Sequence, residues 1–271
     1  MAKCGGRGTW RGGGYEFDAR FPVEKLKKAR SLIQSLDRVK RAQLKQLQEA
    51  IEFLNFACKV IRPGRTFLRR IYDKCSGALL PPHYIKIDQE ARIDLKAWSH
   101  FLSEYNGVSL LLKTEWLSSS KLKIQIEASN LGFAAIFDNE WLMGEFTIKE
   151  RLLNITVREF YPIAVAIDVW PECFRNKFVL FFCDNEAVVH IINNQTSKDK
   201  KIMSVLRFLV IQCMKHNVVF RAKHVPGRDN QLADCLSRLQ VNRAHKLYPN
   251  LKRSSSNVPP AWALSQILHD F

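Results

Sequence analysis

From Lys121 the chain alternates Leu122, Ile124 and Ile126 with Lys121, Lys123 and Gln125, which is the two-residue period of a half-buried strand. Gly132 to Phe137 reads as a second strand. Asp138-Asn139 supplies a turn into a third strand around Trp141 to Thr147, so the pattern predicts an antiparallel meander. A helix follows from about Val157 to Val169, with Pro162 straining its first turns. Lys177 to Cys183 is almost wholly apolar, the mark of a strand covered on both faces. Helices are predicted at about Glu186–Asn193 and Ile202–His216, a strand at Val218–His224 and a last helix at Asn230–Leu239. Three strands, helix, strand, helices, strand and helix make a mixed α/β unit over residues 120–240.

The preceding half keeps a helical period. Leu26, Ala29, Leu32, Ile33 and Leu36 give one apolar face, and Leu44, Leu47, Ile51, Leu54 and Ala57 a second. Pro63-Gly64 breaks the pattern, and Arg65, Arg69 and Arg70 follow among Phe67, Leu68 and Ile71. A further helix is predicted from Glu90 to Tyr105 beyond the linker signal Gly77–Pro82. Residues 21–110 thus read as a small helical domain, with a boundary near 106–120 where Asn106-Gly107 and Ser118-Ser119-Ser120 cluster. Its basic faces are either solvated or contact a phosphate backbone. Residues 1–20, rich in Gly and Arg, read as a flexible basic leader, and 241–271, around Arg253-Ser254-Ser255-Ser256 and Pro259-Pro260, as an extended tail.

Charge changes this picture. Forty-two Lys and Arg against 26 Asp and Glu leave +16, which favours a polyanionic partner, nucleic acid first and an anionic membrane surface second. No apolar run approaches the roughly 18–20 residues that span a bilayer, and the N-terminus lacks a signal-peptide stretch, so an intracellular protein, cytoplasmic or nuclear, is expected. The seven cysteines form no Cys-x-x-Cys pair, indicating neither a disulfide framework nor a zinc site.

Four acids fall next to the ends of predicted elements. Glu127 closes the first strand and Asp184 the apolar one, Glu159 lies early in the helix between them, and Asp234 lies on the last helix. Three of them have a plain structural alternative. Thr156 to Glu159 fits a capping box, Asp184 can open a turn with Asn185, and Asp234 suits the dipole of a helix start. Brought together, the four would repel unless cations compensated them. Two Mg²⁺ ions about 3.5–4 Å apart would do so while clamping the oxygens of a phosphoryl displacement. His224, ahead of Pro226-Gly227 and ten residues before Asp234, has the pKa range of a mobile general acid or base.

The series Glu-Ala-Ser-Asn-Leu-Gly-Phe-Ala-Ala (127–135), Arg-Glu-Phe-Tyr-Pro-Ile (158–163), Cys-Asp-Asn-Glu-Ala-Val-Val (183–189) and His-Val-Pro-Gly-Arg-Asp-Asn-Gln-Leu-Ala-Asp-Cys-Leu-Ser-Arg (224–238) resembles the ribonuclease H domain of retroelement reverse transcriptases. Thr196-Ser197-Lys198-Asp199 and the block Leu54–Arg65 resemble the DIRS-type, tyrosine-recombinase retrotransposons, the latter block looking like the segment after the polymerase palm. The resemblance implies an RNase H-like five-stranded mixed sheet flanked by helices. It implies metal-dependent cleavage of RNA in RNA–DNA hybrids with Mg²⁺ (two ions, Mn²⁺ substituting), and no small-molecule cofactor or membrane partner. By position, Glu127, Glu159, Asp184 and Asp234 match its metal-binding acids and His224 its histidine. The alternative implied is a non-catalytic nucleic-acid-binding remnant. The family pattern has Asp-Ala-Ser where this chain has Glu127. The extra methylene displaces the carboxylate by about 1.5 Å, against a tolerance of roughly 0.5 Å, so weak or absent cleavage is expected. No polymerase-type Asp-Asp motif is present, so DNA synthesis is not expected.

Overall fold

The computed structural model describes residues 6–11, 14–19, 21–76, 82–105, 116–118, 124–224 and 231–271, the stretches 6–11, 14–19 and 116–118 by backbone course alone. The linker signal at 77–82 and the boundary at 106–120 fall largely outside the described residues. The chain divides into two compact units, residues 1–111 and 112–271.

The first unit opens with β1 (Gly6–Arg11) and β2 (Gly14–Ala19), paired antiparallel. The expected flexible leader therefore contains a paired antiparallel ribbon. Then come α1 (Val23–Arg38), β3 (Arg41–Gln43), α2 (Leu44–Ala57), a 3-10 turn (Arg62–Phe67), α3 (Arg69–Cys75), β4 (Tyr84–Lys86) and α4 (Gln89–Glu104). β3 and β4 form a short antiparallel ribbon, Ala42 opposite Ile85, which three-residue strands are too brief to signal in sequence. Asp88 starts α4 by accepting from the Ala91 N–H at 3.0 Å.

Ile33, Leu36, Leu47, Leu54, Phe67 and Phe101 pack this core around the fully buried Trp98, whose indole N–H reaches the Phe67 carbonyl at 3.3 Å. Pro63-Gly64 is more than a break, because a Cβ on Gly64 would fall onto the Trp98 six-membered ring. Neither partner can yield, so Gly64→Ala should lower stability by about 1–3 kcal/mol through overpacking. Urea unfolding followed by circular dichroism checks this, and a change below about 0.5 kcal/mol, the size of an ordinary surface substitution, would show that the contact is not tight.

The second unit contains β5 (Trp116–Ser118), β6 (Ile124–Ala128), β7 (Gly132–Phe137), β8 (Glu140–Glu145), α5 (Ile148–Arg151), α6 (Ile155–Val169), α7 (Pro171–Phe174), β9 (Phe178–Cys183), α8 (Glu186–Asn194), α9 (Lys200–Lys215), β10 (Val219–His224), α10 (Gln231–Ser237), α11 (Val241–Leu247) and α12 (Leu264–Asp270). The architecture is mixed α/β. Among the described residues the strands form two three-stranded sheets, the antiparallel meander β6-β7-β8 and the parallel set β10-β9-β5. The short strand β5 had no periodicity long enough to announce it. β9 is covered less evenly than its composition suggests, with Val179 and Phe181 buried and its other residues partly exposed.

The pleat of the meander sorts its side chains. Ala128 lies opposite Phe133, whose ring meets Tyr161 of α6 edge-on at 4.8 Å, so that face rests on α6. Glu127 lies opposite Ala134, and directly opposed residues share a face. Ala134 packs with Leu232, Ala233, Cys235 and Leu236 of α10. Glu127 therefore shares the sheet face that α10 covers.

α6 is buried along nearly its whole length, as an enclosed helix is, and its charged residues Arg158, Glu159 and Asp168 have hydrogen-bond partners. It runs regularly through Pro162, whose missing N–H leaves only the Arg158 carbonyl without its intrahelical partner. The tail corrects another expectation. Instead of lying extended, residues 241–271 form α11, a 3-10 turn (Pro260–Trp262) and α12. They are stitched down by Trp141 Nε1 to the Lys252 carbonyl (2.7 Å), Tyr161 Oη to the Trp262 carbonyl (2.9 Å) and Trp170 Nε1 to Ser256 Oγ (3.1 Å).

Candidate functional site

Asp184 follows the last residue of β9, and Asn185 caps α8 by accepting from the Ala187 and Val188 N–H groups. That cap leaves the Asn185 amide free to donate to Glu159 Oε2. The capping-box reading of Thr156–Glu159 does not hold, since α6 is capped earlier by Asn154, which accepts from the Thr156 N–H at 2.9 Å. Glu159 is thereby turned toward β9. Burial raises its carboxyl pKa above the usual range. The Asn185 hydrogen bond opposes that rise, the Asp184 charge adds to it, and Arg158 opposes it.

Cys183 shows which charges share this edge. Burial pushes its thiol up to about 12 against the Asn185 N–H, and the charges of Asp184, Glu159 and Glu127 push the same way. Asp234 lies on the other side, paired with Arg238 at 2.8 Å. The same guanidinium feels Glu127 more weakly than Asp234. His224 pairs in register with Cys183 at the end of β10, and its Nε2 lies 3.2 Å from the Asp184 carbonyl oxygen. The Pro-Gly turn beyond it lies outside the described residues. Glu159, Asp184 and His224 thus meet at the end of β9, while Asp234 is engaged by Arg238.

The acids are neighbours without forming a ready cage. Among the described residues no three His, Cys, Asp or Glu side chains stand together as metal ligands. Glu127 turns back on its own strand, Oε1 accepting from the Ala128 N–H at 3.2 Å. The donor chemistry nevertheless suits a hard dication, four carboxylates with oxygen alone to offer, the Asp184 charge disfavouring that of Glu159.

Sequence reasoning gave no role to Arg158, which lies buried and donates to the Ser129 carbonyl (2.9 Å) and Asn130 Oδ1 (3.0 Å), tying the turn after β6 to α6. Arg238 was also missed. Its signal was available, as a cation four residues beyond an acid at a helix end.

Residues 127–240 match the reverse transcriptase-like family model. That stretch holds all four acids and His224. No curated protein matches the chain. Among solved structures, the chain is 14% identical to the foamy viral protease-reverse transcriptase dRH in complex with double-stranded DNA (TM-score 0.27, 76% of this chain and 35% of that one). It is 13% identical to the foamy viral protease-reverse transcriptase in complex with RNA/DNA hybrid (TM-score 0.27, 75% and 27%). For the native prototype foamy virus protease-reverse transcriptase the figures are 17%, 0.28, 67% and 24%. The chain spans about a quarter to a third of the length of those proteins. Among the described residues no helix is long and apolar enough to cross a membrane.

Proposed function

We propose that this chain is a ribonuclease H-type protein that binds RNA–DNA hybrids and cleaves their RNA strand slowly, and that it derives from a DIRS-type retrotransposon. The observation that carries the reading is Glu159 held by the Asn185 amide beside Asp184 at the end of β9, with Glu127 on β6 and Asp234 on α10, inside the family-matched stretch. Glu127, Glu159, Asp184 and Asp234 would hold Mg²⁺ or Mn²⁺, which when bound compensates their charge and that gathering on the scissile phosphate. Asn185 holds Glu159 in place through its amide, and Arg158 fixes the exit of β6. His224, beside the Asp184 backbone, would exchange a proton with solvent at the mouth of the site. The excess of Lys and Arg supplies attraction to the phosphate backbone.

The test is cleavage of an end-labelled RNA–DNA hybrid by the full chain. Slow RNA cutting in Mg²⁺, abolished by EDTA and absent on duplex DNA, is expected. A second reading is favoured by the Glu127 carboxylate turned onto the Ala128 N–H, namely a hybrid-binding remnant without turnover. It predicts salt-sensitive binding with no cutting at any Mg²⁺ concentration, so the same assay separates the two.

A further inference from the structure

Asp234 already has a cation. Arg238 donates from Nε to Asp234 Oδ1 at 2.8 Å, both side chains being about half exposed. Arg238 also lines a polar pocket of 380 Å³ with Ser129, Asn130, Leu131, Ile155 and Gln240. This pocket adjoins the turn that leaves β6 just after Glu127. Arg238 thus both pairs with Asp234 and lines a concave, mostly polar recess.

We infer that Arg238 is a resident cation standing in for a dication beside Asp234, and that it is drawn off by a nucleic-acid phosphate entering this pocket, so that substrate binding opens the acids to metal. The inference rests on the reading of the four acids as metal ligands. A guanidinium presents the same fork to a carboxylate or a phosphate, and an exposed ion pair is weak enough to exchange. While Arg238 stays on Asp234, an arriving dication meets one extra positive charge and a carboxylate already engaged. Once a phosphate takes the guanidinium, both obstacles go. The Arg238 charge is held chiefly by Asp234, so its departure frees that acid. By linkage, metal and nucleic acid then strengthen each other's binding by one common factor.

Mn²⁺ binding without nucleic acid, read from the loss of the free-ion paramagnetic resonance signal, tests this on the full chain. Arg238→Gln should bind Mn²⁺ about fivefold or more tighter than the natural chain, while Arg238→Lys should stay near it. In EDTA at low salt, Arg238→Gln should bind an RNA–DNA hybrid about threefold more weakly by fluorescence anisotropy. Equal or weaker Mn²⁺ binding by Arg238→Gln overturns the inference, as does unchanged hybrid binding. Asp184→Asn distinguishes the failures. If it leaves Mn²⁺ binding unaltered, the acids are not the metal site and the underlying reading falls. If it abolishes binding while Arg238→Gln gains nothing, only the role of Arg238 falls.

Discussion

Glu127→Asp is expected to raise the rate of RNA cleavage about ten- to hundredfold at saturating hybrid, the range set by a displacement of about 1 Å at a reacting centre. Glu127 lies on β6 opposite Ala134, on a strand whose backbone is paired and cannot slide without turning its side chains to the other face. The long side chain spends its reach curling back to the Ala128 N–H. Shortening it by one methylene withdraws the carboxylate toward the place an Asp-Ala-Ser motif gives it, while Arg158 continues to hold the following turn. Asp184→Asn, made in the Glu127→Asp background, should remove the gained activity, because it deletes one of the charges that makes the edge attractive to a dication. Equal rates for the natural chain and the Glu127→Asp variant, with unchanged circular dichroism, would sink the displacement argument.

Asp168→Asn should cost about 3 kcal/mol of stability, the lower end of breaking a buried ion pair. Asp168 lies near the end of α6, mostly buried, and accepts from Lys215 Nζ (2.8 Å), His216 Nε2 (3.0 Å) and Trp262 Nε1 (2.8 Å). An amide cannot satisfy all three donors. Burial alone would raise the carboxyl pKa, but the hydrogen bonds from Lys215 and His216, the Lys215 charge and Trp262 outweigh it and hold the group below its usual range. The folded state therefore binds this proton less readily than the unfolded chain. The stabilisation is complete above the unfolded value near 3.9 and is lost as pH falls through the lower folded value. The gap between the two proteins in urea unfolding should be constant near neutrality and close below about pH 4. A gap that persists there would assign the loss to packing rather than to charge.

The meander was legible because β7 and its neighbours carry turn residues at the right intervals, and α4, α8 and α9 because their apolar period is long. What escaped did so for definable reasons. The Thr156–Glu159 spacing promised a capping box, but Asn154 two positions earlier took the cap and turned Glu159 to β9. β9 read as uniformly buried because an all-apolar run carries no alternation, whereas its burial does alternate. The tail was dismissed on its serines and prolines, yet Leu251, Leu264 and Ile267 are buried, and the three-residue spacing of the last two was the overlooked sign. At the site, the acids could be found from their positions at element ends. The partner that positions Glu159, Asn185, could not, because its role depends on which neighbours tertiary packing brings within reach, whereas Arg238 was signalled by its place four residues after Asp234.

The clasp formed by residues 251–271 sets a limit on dissecting this protein. Cutting after Gln240, where the family match stops, would strip Trp141, Tyr161 and Trp170 of their acceptors and leave Asp168 without its Trp262 donor. A fragment drawn from similarity alone would uncover the apolar surface under Leu251, Leu264 and Ile267, so a piece cut for assay keeps the chain through Phe271.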